Sequence, residues 1–272
     1  MWSLLILLLG CAKSPEAEPA PVDAQPTSSQ RSDSSSCSLD KGLGTLALEV
    51  DGQRRTAVVR RGASATEQAP LLFVWHGFGA APKLIMPAVS PQQHWEDAVV
   101  VAPQGLPRTF EKFGDKAQPG WQVSEGEYDN RDLALFDALL TELAPCIDEQ
   151  RVYSTGFSNG GFFSNLLACH RPEALAAIAP VGGGGPFEPC STAMPVLITH
   201  GTADPVVPYA SAVHSMDTWS RLNRCTLASP EAQGCTTLSC DTPLKMCSFS
   251  GRHVWPSGTD ARVAEFLRGH TR

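Results

Sequence analysis

The sequence predicts an α/β fold: a mostly parallel, eight-stranded sheet with helices on both faces and no large cap domain. Three observations predict it. Short apolar runs bounded by Gly, Pro or charge fall at residues 45–50, 56–60, 71–75, 98–102, 152–155, 177–181, 196–199 and 245–249, and each has the length of a strand. Helical periodicity fills the gaps between the later runs, and strands alternating with helices imply a parallel sheet covered on both sides. The chain has 272 residues, of which 42% are hydrophobic, enough to bury a sizeable core.

The order begins with an address. Leu4-Leu5-Ile6-Leu7-Leu8-Leu9 leads into Gly10-Cys11, a short apolar run ending in a small residue and a cysteine. It resembles a bacterial lipoprotein signal, which implies cleavage before Cys11 and a lipid on its thiol; an ordinary secretory signal is the alternative. No Lys or Arg precedes the run. Residues 1–10 are read as the signal and 11–36 as a tether rich in Ser, Pro and Ala, whose composition cannot repay the entropy of ordering. The structured domain is expected over 37–272, in an extracytoplasmic compartment and held to a membrane through Cys11. No window of about eighteen apolar residues occurs, which removes a membrane-spanning helix. With 21 Lys+Arg against 28 Asp+Glu, a formal charge of -7, the chain lacks the basic excess that nucleic acid demands.

Setting Cys11 aside leaves eight cysteines: Cys37, Cys146, Cys169, Cys190, Cys225, Cys235, Cys240 and Cys247. An even number in such a compartment implies four disulfides, with connectivity open. The crowding of the last four suggests a locally stapled loop; a zinc site there is the rival, against which stands the absence of a Cys-x-x-Cys pair.

The first two strands lie close enough for a hairpin. The helix expected after His76 is interrupted by Pro82, Pro87 and Pro91. Leu133, Phe136, Leu139, Leu140 and Leu143 keep i, i+3, i+4, i+7 spacing, and Val263, Phe266 and Leu267 mark a closing helix. Between strand 152–155 and the apolar helical stretch 162–168 stands Gly156-Phe157-Ser158-Asn159-Gly160. A serine expected on a sharp strand-to-helix turn, with glycines two residues to either side, resembles the nucleophile elbow of α/β-hydrolases. Such a serine needs a base and an acid that orients the base, and in this architecture they follow in the order acid, then histidine. Asp204, just after strand 196–199, and His253, between the last strand and the last helix, hold those places. Asp217 and Asp241 follow no strand. His200 is read as a packed strand-end histidine, while His214 falls in an expected helix and His270 near the end of the chain. For the oxyanion the donors are the N–H of Asn159 and one from the loop Trp75-His76-Gly77-Phe78-Gly79-Ala80, Phe78 first and Gly79 as the alternative; His76 braces that loop. Whether Trp121, Tyr128 and Trp255 line a pocket or only pack is open.

Val74-Trp75-His76-Gly77, Arg151-Val152-Tyr153, Gly156-Phe157-Ser158-Asn159-Gly160-Gly161, Leu167-Ala168-Cys169, Ala177-Ile178-Ala179-Pro180-Val181 and His200-Gly201-Thr202-Ala203-Asp204-Pro205 together resemble the poly(3-hydroxybutyrate) depolymerase and feruloyl esterase family. The resemblance runs from about Leu71 to Pro256. It implies a secreted serine carboxylic ester hydrolase without cofactor or metal, its triad falling on Ser158, Asp204 and His253. Two departures stand out. Asn223-Arg224-Cys225 replaces the family's Asn-Gly-Cys, and Arg252 precedes the histidine where glycines are usual. Both sit near the expected entrance of the site, so the resemblance leaves open the choice between aryl or acetyl esters of plant polysaccharide and a polyester. Transfer to an acceptor other than water, or a non-catalytic binding protein on a hydrolase scaffold, are the further alternatives. The fourteen residues 182–195 between the sixth and seventh strands are too few and too glycine-rich for a helical cap, so an open, weakly apolar cleft is expected, able to admit an ester attached to a polymer.

Overall fold

The computed structural model describes residues 37, 39–40, 42–89, 93–230 and 234–272, all within one unit spanning Ser35–Arg272. The expected signal, the tether and Cys11 lie outside the described residues.

The chain enters through β1 (Gly42–Val50) and β2 (Gln53–Arg61), a hairpin that turns at Asp51-Gly52, where both residues have positive φ (49° and 72°). Asp-Gly suits that turn because its twist matches the strands it joins. β3 (Ala69–Trp75), β4 (Val99–Pro103), β7 (Ile147–Phe157), β8 (Ala177–Val181), β9 (Val196–Gly201) and β12 (Leu244–Phe249) form the parallel centre. β3, β4 and β8 are buried along their whole length, which is why they read as unbroken apolar runs instead of alternating ones.

Among the described residues the sheet has ten strands, not eight, in the order β1-β2-β4-β3-β7-β8-β9-β12-β11-β10. All eight expected strands are present. The additional pair, β10 (Leu227–Pro230) and β11 (Cys235–Ser239), comes from the cysteine-rich stretch expected as a loop. Both strands are short, β10 exposed along its length and β11 mostly half-buried, so no apolar run betrays them. Cys235 lies opposite Cys247 of β12 in the ladder and is bonded to it, and Cys225 is bonded to Cys240. With Cys37–Cys146 and Cys169–Cys190 all eight cysteines are paired, and the rival zinc reading has no free thiolate to use. A separate hairpin, β5 (Leu106–Arg108) with β6 (Gln118–Gly120), stands outside the main sheet.

Among the described residues, five α-helices clothe the sheet. α2 (Arg131–Leu143), α3 (Asn159–His170) and α4 (Tyr209–Leu222) bury Leu133, Phe136, Phe163, Leu167 and Trp219 in one core layer. α1 (Pro82–Val89) and α5 (Thr259–Arg268) bury Ile85, Met86, Val263 and Leu267 in the other. The two-sided covering expected from the sequence is therefore present. In α1 Pro82 occupies the first helical position, where no hydrogen bond is lost, whereas Pro87 lies inside the helix and removes one donor, two residues before this eight-residue helix ends. Residues 182–195 carry no helix or strand.

Candidate active site

Ser158 links β7 to α3 with φ 55° and ψ −118°, a conformation costly for a residue with a Cβ and characteristic of functional turns. Its neighbours show why it must be so. A Cβ on Gly160 would come within 2.1 Å of the Trp75 carbonyl oxygen, and one on Gly156 within 2.5 Å of the Gly160 backbone. The helix thus starts against β3 with no room for side chains. The Ser158 amide is held by the Val181 carbonyl at 2.9 Å, leaving the side chain at the mouth of a cleft of about 580 Å³ that His253 also lines.

Asp204 follows β9 in a tight loop. Its Oδ1 accepts the Val206 and Val207 amides at 2.8 Å each, and its Oδ2 accepts from Nδ1 of His253 at 2.6 Å. Burial acts to raise the Asp204 pKa, but the hydrogen bonds from His253 and the two amides outweigh it and hold the carboxyl below its ordinary value. His253 rests against Phe157, ring centroids 4.7 Å apart. The structure therefore brings Asp204 and His253 together and opens both His253 and Ser158 onto one cleft. No hydrogen bond joins Ser158 to His253 among the described residues; contacts of this kind commonly tighten only as substrate arrives.

The other acids and histidines lie elsewhere. His200 is fully buried, its Nε2 donating to the Val207 carbonyl at 2.9 Å and standing 3.6 Å from Asp204 Oδ2; it packs behind the acid loop and does not line the cleft. His214 donates to the Pro186 carbonyl, and His270 rests on Phe266. Asp217 belongs to α4, and Asp241 pairs with Arg224 at the surface.

Of the loop amides, Gly79 N–H is spent on the Pro119 carbonyl at 2.8 Å, whereas those of Phe78 and Asn159 donate to no protein group among the described residues. His76 does brace the loop: Nδ1–H donates to the Gly77 carbonyl at 2.8 Å, and Nε2 accepts the Gly105 amide at 3.0 Å. The Asn159 side chain exchanges two hydrogen bonds with the Trp121 backbone, at 2.7 and 2.9 Å, so the first turn of α3 is clamped to the segment after β6.

Trp121 is fully buried against Trp75 and Phe163. Tyr128 stacks under Arg131, and Trp255 packs beside Phe157. None of the three lines the cleft. Its walls are instead Phe78, Leu84, Ile85, Phe113, Phe157 and Val206, so the cleft is open as expected but strongly, not weakly, apolar. Phe110, Lys112 and Phe113 were not legible as site residues: the stretch between β5 and β6 has no period and no motif, and only the fold carries it over Ser158.

No family model matches the chain. It is 29% identical over 208 residues to feruloyl esterase D of Neurospora crassa, covering 70% of this chain and 67% of that protein. It is 27% identical over 243 residues to a probable feruloyl esterase C of Aspergillus terreus, covering 81% and 83%. Among solved structures, the acetyl xylan esterase from Aspergillus awamori superposes with a TM-score of 0.61 at 13% identity, over 83% of this chain and 99% of that one. The sequence relatives, the shared fold and the elbow converge: the chain is a carboxylic ester hydrolase of the serine α/β-hydrolase kind, related to the feruloyl esterases.

Proposed function

We propose that the chain hydrolyses aryl or acetyl esters of plant polysaccharide through Ser158, His253 and Asp204. The observation that carries the reading is the 2.6 Å Asp204–His253 pair facing the same cleft as a serine held in a strained elbow; the names of the relatives add the substrate class. Ser158 Oγ attacks the ester carbonyl while its proton passes to Nε2 of His253, and the oxyanion is held by the amides of Phe78 and Asn159. The engaged Gly79 amide favours Phe78 as the loop donor. Collapse expels the alcohol with the proton returned by His253. Water then repeats the sequence on the acyl-enzyme and releases the acid. Asp204, kept ionised, holds the imidazole in its working tautomer.

A polyester hydrolase is the second reading, favoured by the apolar walls of the cleft. Turnover of a panel of p-nitrophenyl, feruloyl, acetyl-xylan and hydroxybutyrate esters by the wild type and Ser158→Ala decides between them. The variant is expected to lose all hydrolysis while keeping the wild-type circular dichroism; a folded variant within tenfold of wild type would sink the assignment. Four disulfides suit an oxidising, extracytoplasmic setting. Anchorage there rests on Leu8-Leu9-Gly10-Cys11 alone, and unchanged membrane fractionation and processing of Cys11→Ser would count against it.

A further inference from the structure

The space at Ser158 is two lobes, not one. The larger, about 580 Å³, is lined by His253; a second, about 260 Å³, is also lined by Ser158 but not by His253, and has Asn159, Phe110, Phe162 and Ser211 in its walls. Phe78, Phe113 and Val206 border both. Over the divide runs an arch, in which Lys112 Nζ, carried by the segment between β5 and β6, donates to the Val206 carbonyl at 2.5 Å on the acid loop. Phe113 stacks on Phe78 at 5.4 Å, and Phe110 meets Phe78 edge-on at 5.0 Å.

The chemistry assigns these lobes. Once Ser158 Oγ has added to the carbonyl, the tetrahedral carbon bears three other substituents. The oxyanion points to the Phe78 and Asn159 amides. The alkoxy oxygen must lie where His253 can return its proton as the carbon–oxygen bond breaks, and His253 lines only the larger lobe. The acyl substituent takes the remaining direction. We infer that the smaller lobe is the acyl site and the larger one receives the alcohol, so that Phe110, Phe113, Phe162 and Ser211 set acyl specificity while Leu84 and Ile85 set alcohol specificity. This deepens the esterase reading and rests on it. At about 260 Å³ the smaller lobe lies under the roughly 300–1,000 Å³ of sites that engulf drug-sized ligands. It therefore takes a compact acyl group, and its four phenyl walls favour an aryl one. The alcohol lobe, walled by Leu84, Ile85 and Phe157, can pack against the C–H face of a sugar ring on the leaving side.

Two ester series separate the lobes: p-nitrophenyl esters with acetyl, butyryl and feruloyl groups, and acetates of ethanol, phenol, 1-naphthol and xylose. Ser211→Leu, which fills the smaller lobe, is expected to lower the feruloyl-to-acetyl ratio of kcat/KM tenfold or more and to leave the ratios across alcohols within twofold. Phe162→Leu keeps much of the volume but removes a ring, and is expected to lower the same ratio, so the test survives if Ser211→Leu misfolds. Leu84→Glu, on a side chain 67% exposed, is expected to shift the naphthyl-to-xylosyl ratio at least fivefold toward the sugar without moving the acyl ratio. The reversed pattern, or equal movement of both ratios by either variant, overturns the assignment while wild-type turnover lost in Ser158→Ala leaves the hydrolase reading standing. Absence of turnover of every ester by the wild type would overturn both.

Discussion

At Ser158 and at Arg224 the chain takes a left-handed turn with a side chain attached (φ 55° and 54°), and the two have opposite justifications. Ser158 is held there by the crossing of α3 over β3, which presents its hydroxyl to the cleft. Arg224 stands where the resembled family carries glycine, and its exposed pairing with Asp241 at 3.5 Å offers little in return. Arg224→Gly is therefore expected to stabilise the fold by about 1 kcal/mol, read as a higher denaturation midpoint; an unchanged or lower midpoint would refute the strain argument. Between the two histidines near Asp204, only His253 reaches the cleft. His253→Ala is expected to cut kcat by about 10³ or more, and a larger loss from His200→Ala would reverse the roles. Burial holds His76, His200 and His270 below the ordinary imidazole value of 6.5. The unfolded chain thus takes up protons that the folded one resists, and stability, full above about pH 6.5, falls as pH drops below it. Asp204 adds a second stage: its lowered carboxyl stabilises the fold above the ordinary value of 3.8, and that contribution disappears as pH falls through its folded value. Tm measured from pH 8 to 3 is expected to decline from about 6.5 downward, less steeply in His270→Phe; a flat Tm between pH 7 and 5 would refute the linkage.

Among the elements, legibility follows burial. β3, β4 and β8 are covered on both faces and announce themselves as apolar runs, and Ser158, Asp204 and His253 could be picked out because each follows a strand in the order this architecture uses. β5, β6, β10 and β11 are short, carry proline or stand half in solvent, and are held by disulfides or by the neighbouring hairpin partner, so periodicity had nothing to detect. The walls of the cleft were invisible for the same reason. Pairing of the cysteines likewise required the fold, since eight of them permit many connectivities. Their spans now make a prediction: Cys37–Cys146 closes a separation of 109 residues and Cys235–Cys247 one of 12. On loop entropy, replacing the first pair by serine destabilises more than replacing the second, by about 2 kcal/mol. Urea unfolding of the two double variants measures the difference, and the opposite order would show that the short staple contributes through native contacts in the β10–β12 meander instead.

Taken as one molecule, the protein places no helical cap over Ser158 among the described residues. Residues 182–195 contain no helix, and the rim residues Leu84 and Phe113 are 67% and 50% exposed. With no cap to move among the described residues, catalytic efficiency is expected to fall from acetyl or butyryl to palmitoyl esters, and rate to rise smoothly through the critical micelle concentration; a jump there, or efficiency growing with chain length, would reveal a covering element. The ten-stranded sheet and the arch over Ser158 are also built from separate pieces, because β5 and β6 pair only with each other. The surroundings of Ser158 are fixed: a Cβ on Gly156 or Gly160 would meet backbone at 2.5 and 2.1 Å. The intervening segment, anchored at one end by β5 and at the other by the Trp121–Asn159 clamp, carries none of the sheet's hydrogen bonds. One wall of the cleft is thus a separable piece: residues 109–117 bring Phe110 and Phe113 to it without sharing a hydrogen-bonded ladder with the sheet that carries the elbow.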